Sequence, residues 1–330
     1  MRHAKNEKEL VLNCIQKAQT PLTITQIKEA TQFGVDNRTV QRWLNQAAKQ
    51  GDIIITGEKK GRKYSACSTP SEQPTFDLIK DLPESKKQEV MNMLKTSWTH
   101  NSTALEGNTL TLGETEFVLN EGLTISGKPL KDHKEVVGHA AAIDLLYTML
   151  NDGLTIDNLK KLHSAVQTEI VFDIEKPQGD FKSMPNGTYL LLDNNDKKYH
   201  AYSTPFEVPK LMSRLVEFFQ TQKPTTMDEA IEVFAKVHIV IGQVHPFWDG
   251  NGRIARLVGN LGLLRSRFVP IVIPASRRFE YITILSTYSA KFDAPSAKSE
   301  LFYEGDELNN FIKFCKSCYA ETLDIIKAAK

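Results

Sequence analysis

The chain has 330 residues, 41% of them hydrophobic and 25% charged, with a formal net charge of +1. That length predicts about two domains with buried cores. No apolar run nears the ~18 residues of a membrane span, and the start Met1-Arg-His-Ala-Lys5 has no apolar signal core, so a cytoplasmic chain with no membrane contact is expected. Charge is unevenly placed: residues 1–68 carry +6 and the remainder −5. The two halves are therefore expected to meet different partners.

Residues 1–68 read as three short helices and a hairpin. Glu7 to Ala18 sets Leu10, Val11, Cys14 and Ile15 on one helical face, and Pro21 ends it. Thr25 is expected to cap a second helix, Gln26 to Thr31, and Asp36 or Asn37 a third, Arg38 to Gln50, stopped at Gly51. Asp52 to Thr56 and Arg62 to Ala66 follow as strands around a lysine-rich turn. This layout resembles a winged helix-turn-helix domain. The resemblance implies a third helix in the DNA major groove and a wing along the backbone, with Arg38, Arg42, Lys49, Lys59, Lys60, Arg62 and Lys63 as phosphate contacts. A protein-docking module with a solvated basic face is the competing reading.

Residues 69–82 are turn-rich and read as a linker. From residue 83 onward the chain reads as helical nearly throughout. Helices are expected over Pro83 to Trp98, Ser102 to Gly107, Gly113 to Asn120, 131–151 and 155–171. The exception is a hairpin within Phe181 to Pro205. The four cysteines, Cys14, Cys67, Cys315 and Cys318, include one CxxC on a helical pattern with no second pair, so reduced thiols are expected rather than a metal or redox site. His133, His139 and His163 read as structural or surface residues, since His133 and His139, six apart, are poorly spaced for a shared metal.

The densest chemistry lies in His245-Pro-Phe-Trp-Asp-Gly-Asn-Gly-Arg-Ile-Ala-Arg256. An apolar helical run, Ile231 to Val244, delivers His245 to a loop, and a second helix opens at Asn251. Arg253 and Arg256 then share one face. Gly250, Asn251 and Gly252 at the helix start form a nest whose backbone N–H groups and dipole favour phosphate. Asp249 beside it suits Mg²⁺, the arginines suit outer phosphates, and His245 remains as candidate general base. The residues thus describe a Mg·nucleotide site with a base beside the phosphates.

This string matches every defined position of the Fic-domain signature, HPFx(D/E)GNGRxxR, and the chain resembles that family over about 85–330. The resemblance implies an all-helical core carrying a β-hairpin flap. It implies transfer of AMP from ATP to a Ser, Thr or Tyr hydroxyl of a target protein, the protein itself included. His245 would be the base, Asp249 the metal ligand, and Arg256 the γ-phosphate ligand. Gly250 distinguishes the chain from Doc-type relatives, which carry lysine there and phosphorylate. The flap would clamp a target strand through Lys182, Asn186, Gly187, Thr188 and Tyr189. Tyr281 or Tyr288 would stack on the base. Ser102-Thr-Ala-Leu-Glu106-Gly107 matches the family's inhibitory pattern (S/T)xxxE(G/N), implying that Glu106 occupies Arg256 and holds the enzyme off. Relatives often dimerise, so a homodimer is expected. Removal of AMP at the same site, and a winged-helix transcriptional regulator with a nucleotide-sensing core, are the rival readings.

Overall fold

A computed structural model describes residues 10–15, 18, 21–31, 36–49, 53–57, 61–66, 76–151, 153–167, 176–191 and 197–329. The chain forms two compact units, Met1–Gln73 and Pro74–Lys330. No helix among the described residues is long and apolar enough to cross a membrane.

In the smaller unit, helix α1 (residues 10–15) precedes α2 (Ile24–Thr31), α3 (Asn37–Lys49), and an antiparallel pair, β1 (Ile53–Thr56) and β2 (Lys63–Ala66). Thr23, not Thr25, caps α2: its hydroxyl accepts from the Gln26 N–H, while the Gln26 side chain accepts from the Thr23 N–H at 2.8 Å. Asp36 caps α3 by accepting from the Arg38 and Thr39 N–H groups. Val11, Ile15, Ile27, Val40, Trp43, Leu44, Ile53 and Tyr64 bury against one another as this unit's core. Leu22 adds a backbone bridge to Tyr64. Arg38, Arg42, Arg62 and Lys63 are exposed, as their charge requires. Lys59, Lys60 and the Lys49 side chain lie outside the described residues.

The larger unit is mainly helical: α4 (Glu84–Ala104), α5 (Leu112–Glu121), α6 (Leu130–Thr148), α7 (Ile156–Val166), α8 (Val208–Thr221), α9 (Met227–Val244), α10 (Asn251–Gly259), α11 (Leu261–Arg265), α12 (Arg278–Lys291) and α13 (Asp306–Ala329). A hairpin of β3 (Gly187–Leu191) and β4 (Lys197–Ala201) is inserted between α7 and α8. Two sequence expectations change. Residues 83–98 and 102–107 are not separate helices, because α4 runs through to Ala104. The segment 69–82 is not linker throughout, because Phe76 and Ile79 are buried in the larger core, which draws an otherwise turn-rich stretch inward.

Helix α9 organises this unit. A Thr226–Glu229 capping box fixes its start, and nearly every turn behind it is buried, including Ile231, Phe234, Val237, Val240, Ile241 and Val244. A helix buried on nearly every side belongs at a core's centre, where α8, α10, α11 and α13 surround it. Its C-terminus is consequently held from several directions at once. That end carries His245.

Candidate active site

The loop from His245 to Gly250 is fixed by its own side chains. His245 caps α9 in the left-handed region, φ 51°, and its N–H donates to the Ile241 carbonyl at 2.9 Å. Asn251 clips the loop across itself, accepting from the Phe247 N–H and donating to the Phe247 carbonyl, both at 2.9 Å. Its side chain is thus structural, and only its backbone remains for a phosphate. Phe247 is buried and stacks on His163 with ring centroids 3.9 Å apart. His163 Nδ1 accepts from the Gly179 N–H, so Nε2 carries the proton and donates to the Asp249 carbonyl at 3.1 Å. Burial depresses the His163 pKa to about 4. Gly250 then turns the chain into α10 at φ 76°, a conformation that favours glycine.

The imidazole of His245 lies face to face with Tyr202, centroids 3.8 Å apart and planes within 1°. Burial first, and the Lys182 ammonium second, push its pKa down to about 4. His245 is therefore neutral near pH 7, the form able to accept a proton. Lys182 is itself buried, with its pKa lowered to about 8 by that burial. Its Nζ donates to Asn186 Oδ1 at 2.6 Å and to the Val244 carbonyl at 3.3 Å, while its backbone N–H donates to the Pro246 carbonyl. Asn186 in turn donates to the Phe247 carbonyl at 3.3 Å. Lys182 and Asn186, expected as target-contacting flap residues, are thus both bonded to the loop. They are anchored to the loop through the Val244 and Phe247 carbonyls. Of the other flap residues, Thr188 and Tyr189 line the cleft, and Tyr189 is exposed against Tyr199.

Arg256 stands at the opposite end, 2% exposed. Its Nε donates to Ser102 Oγ at 3.0 Å, one terminal nitrogen to the Ser102 carbonyl and to Glu106 Oε1 at 2.8 and 2.7 Å, and the other to the Tyr281 hydroxyl at 3.2 Å. Burial opposes its charge, but Tyr281 and Glu106 outweigh that and raise its pKa. A Cβ at residue 252 would run into Glu106 Oε1, so Gly252 is what lets the carboxylate approach the helix start. Arg253 is turned elsewhere. It donates to the Val166 carbonyl at 2.9 Å, sits 3.5 Å from Asp249, and does not line the cleft.

Of the two tyrosines expected to stack on a base, Tyr281 lines the cleft with its hydroxyl occupied, and Tyr288 does not line it. Tyr281 is 2% exposed, packs against Phe311 and Phe314, and shares a 2.8 Å bond with His238 Nε2. Since its oxygen accepts from Arg256, its proton goes to His238. Tyr288 is buried and bonded to the Tyr303 backbone. Both rings were drawn into the core because their hydroxyls found internal partners. Leu190, Ile239, Ile282 and Leu285 join Tyr281 on the wall of a cleft of about 360 Å³, which Glu106, His245, Gly252 and Arg256 also line.

Sequence reasoning missed Tyr202 and His238. His238 stands seven residues before His245, two helical turns, so its face was readable from the spacing. Tyr202 had no such signal, as it comes from the distant end of the hairpin. No group of three His, Cys, Asp or Glu able to hold a metal occurs among the described residues. Asp249 is a single, half-exposed carboxylate, which fits a Mg²⁺ completed by phosphate oxygens and water rather than an all-protein cage. Cys315 and Cys318 are buried free thiols; burial raises both, Cys318 to about 12.

A neutral, half-buried histidine, a helix-start nest and a buried arginine define a helical domain built to meet an anion. Residues 153–263 match the Fic/DOC family model, so this part of the chain is similar to Fic domains. The protein adenylyltransferase fic-1 of Caenorhabditis elegans is 33% identical over 195 residues, covering 57% of this chain and 35% of its own length. The protein adenylyltransferase Fic of Drosophila melanogaster is 28% identical over 228 residues, covering 68% and 41%. The chain thus spans well under half the length of these relatives. A Fic domain containing signaling protein from Bacteroides thetaiotaomicron superposes with TM-score 0.65 at 27% identity, over 79% of this chain and 97% of that one. C. elegans Fic-1 gives 0.59 at 25%, over 77% and 68%.

Proposed function

We propose that this protein transfers AMP from ATP to a hydroxyl side chain of a target protein, and that Glu106 holds the reaction off. The observation that carries this is one cleft lined by neutral His245, the Gly252 helix start and Arg256. In the reaction, His245 takes the proton of the target hydroxyl and the oxygen attacks the α-phosphorus. The bond to the pyrophosphate oxygen breaks, and pyrophosphate leaves. The α10 N-terminus stabilises the charge on the phosphates, and Arg256, once released from Glu106, binds the γ-phosphate. Asp249 would hold Mg²⁺, which when bound neutralises phosphate charge. The fixed loop supplies the positioning.

Glu106 is half-exposed and lines the same cleft as His245, a place from which a carboxylate can orient water. Removal of AMP at this site is accordingly the second reading. The experiment is incubation of purified protein with Mg²⁺ and α-labelled ATP, comparing wild type with Glu106→Gly. Transfer supports the first reading; release of AMP from pre-labelled protein by wild type supports the second; neither would leave a nucleotide-sensing regulator.

For residues 1–68 the proposal is a winged-helix module contacting DNA, supported by exposed Arg38 and Arg42 one turn apart on α3 and by Arg62 and Lys63 at the hairpin. Neutralising all four should flatten the log–log salt dependence of binding by roughly one unit per lost phosphate contact. No binding of wild type to duplex DNA at low salt would point to protein docking instead.

A further inference from the structure

We infer that Lys182 is a positioning residue for the general base, an ammonium under the His245 loop that acts together with the Tyr202 ring. The inference rests on the proposed role of His245. Three bonds carry it. Lys182 Nζ donates to the carbonyl of Val244, the last residue of α9, and its N–H donates to the carbonyl of Pro246, so it grips the chain on both sides of His245. Its third contact, Asn186 Oδ1, is itself tied to the Phe247 carbonyl. The same ammonium lies 5.7 Å from the centre of the Tyr202 ring, and that ring covers the His245 imidazole. One cation therefore fixes the backbone on each side of the base and lies beside the ring that fixes its plane.

Burial alone does not explain this arrangement. A lysine 2% exposed sacrifices hydration, and methionine would fill the same space at lower cost. What methionine lacks is a donor for the Val244 carbonyl and a positive charge near the imidazole. The charged and titratable groups acting on His245 are Lys182, Asp249 and Glu106, with Tyr202 stacked on it. Lys182 opposes protonation of the ring, and the two carboxylates favour it. Removing the ammonium leaves the carboxylates unopposed, so the His245 titration must move to higher pH.

The test uses Lys182→Met and Lys182→Arg in the full chain, with two readouts. The first is NMR titration of the His245 ring, assigned by its loss in His245→Ala; it needs no activity. In Lys182→Met the His245 midpoint should rise, and in Lys182→Arg it should stay near wild type. The second is AMP transfer in a Glu106→Gly background. There kcat should fall about 10- to 100-fold for Lys182→Met, as expected for a displaced catalytic group. KM for ATP should stay within about twofold, because the phosphate ligands are on α10. The arginine variant should recover part of the rate. A ring midpoint and kcat in Lys182→Met both unchanged from the parent would overturn the inference. Should that variant fail to fold, the wild type decides. Its His245 resonances should show a second inflection near pH 8, where Lys182 loses its proton, and a single inflection would overturn the inference equally. Absence of AMP transfer in the parent would discredit the reaction while leaving the titration result standing.

Discussion

The two ends of the cleft are built on opposite plans. At the His245 end every contact prepares a group and leaves it free to react: the ring is stacked, neutral, and set on a clipped loop. At the Arg256 end the contacts consume the group, since Ser102, Glu106 and Tyr281 together take all three guanidinium nitrogens. The histidine is free while the arginine is occupied. Control of such a site is therefore expected at the arginine, where one carboxylate decides whether a phosphate can enter.

The most severe test of the comparison removes the base. His245→Ala should cut the proposed AMP transfer by about 10²–10⁴-fold, with ATP binding retained, because the proposed phosphate ligands lie on α10. A filter-binding or calorimetric affinity measured beside the labelling assay checks both halves. Labelling undiminished in this variant would remove His245 from the chemistry.

Next in size is release of the clamp. Glu106→Gly should raise auto-labelling by about tenfold or more, the scale of one charge-assisted bond to a partly exposed carboxylate. The gain should vanish when His245→Ala is added. Arg256→Ala breaks the same pair but also discards the phosphate ligand, so it should not activate. Equal activation by both variants would mean that Glu106 acts by blocking space rather than by occupying Arg256.

A third test addresses how the base end is held. The folded pKa of His163 is about 4, below the ordinary value of 6.5, so between those values the unfolded chain binds more protons. Stability must then fall as pH drops from about 6.5 toward 4, and be fully present above that window. The contribution is on the order of 2–3 kcal/mol. Urea midpoints of wild type and His163→Gln across that range should converge on acidification, and parallel curves would show that His163 does not carry the loop.

How much of this was legible in the sequence depends on whether a residue's partners are local. His245, Asp249, the Gly-Asn-Gly turn and the arginine spacing are written in twelve consecutive residues, so their chemistry could be read directly. The hairpin between α7 and α8 and the helical character of the rest were also readable, through turn residues and apolar periodicity. The pairing of Glu106 with Arg256, across 150 residues, was reached only through family resemblance, because nothing local brings them together. Where tertiary partners alone decide, local reading gives no signal. Lys182 and Asn186 were expected as target-binding flap residues, and their bonds to the Val244 and Phe247 carbonyls could not be read locally. The partners of the Tyr281 hydroxyl, Arg256 and His238, had no local signal. Arg253 and Arg256 share a helix face, yet Val166 captured one and the cleft the other.

The smallest expected effect concerns Tyr281 and separates supporting the clamp from touching the nucleotide. Its hydroxyl accepts from Arg256 at 3.2 Å and donates to His238 at 2.8 Å, so Tyr281→Phe deletes both bonds and keeps the ring. One net hydrogen bond is worth about 1 kcal/mol, or roughly fivefold. In a Glu106→Gly background the loss should fall on KM for ATP rather than kcat, since the base end is untouched. Base preference should stay the same, because the substitution keeps the ring and its packing on Phe311 and Phe314. His238→Gln, which keeps an acceptor for the tyrosine proton, should lose less than Tyr281→Phe. A change in preference between ATP and GTP in Tyr281→Phe would return this ring to the nucleotide, and would mean that the clamp end opens further on binding than the filled state shows.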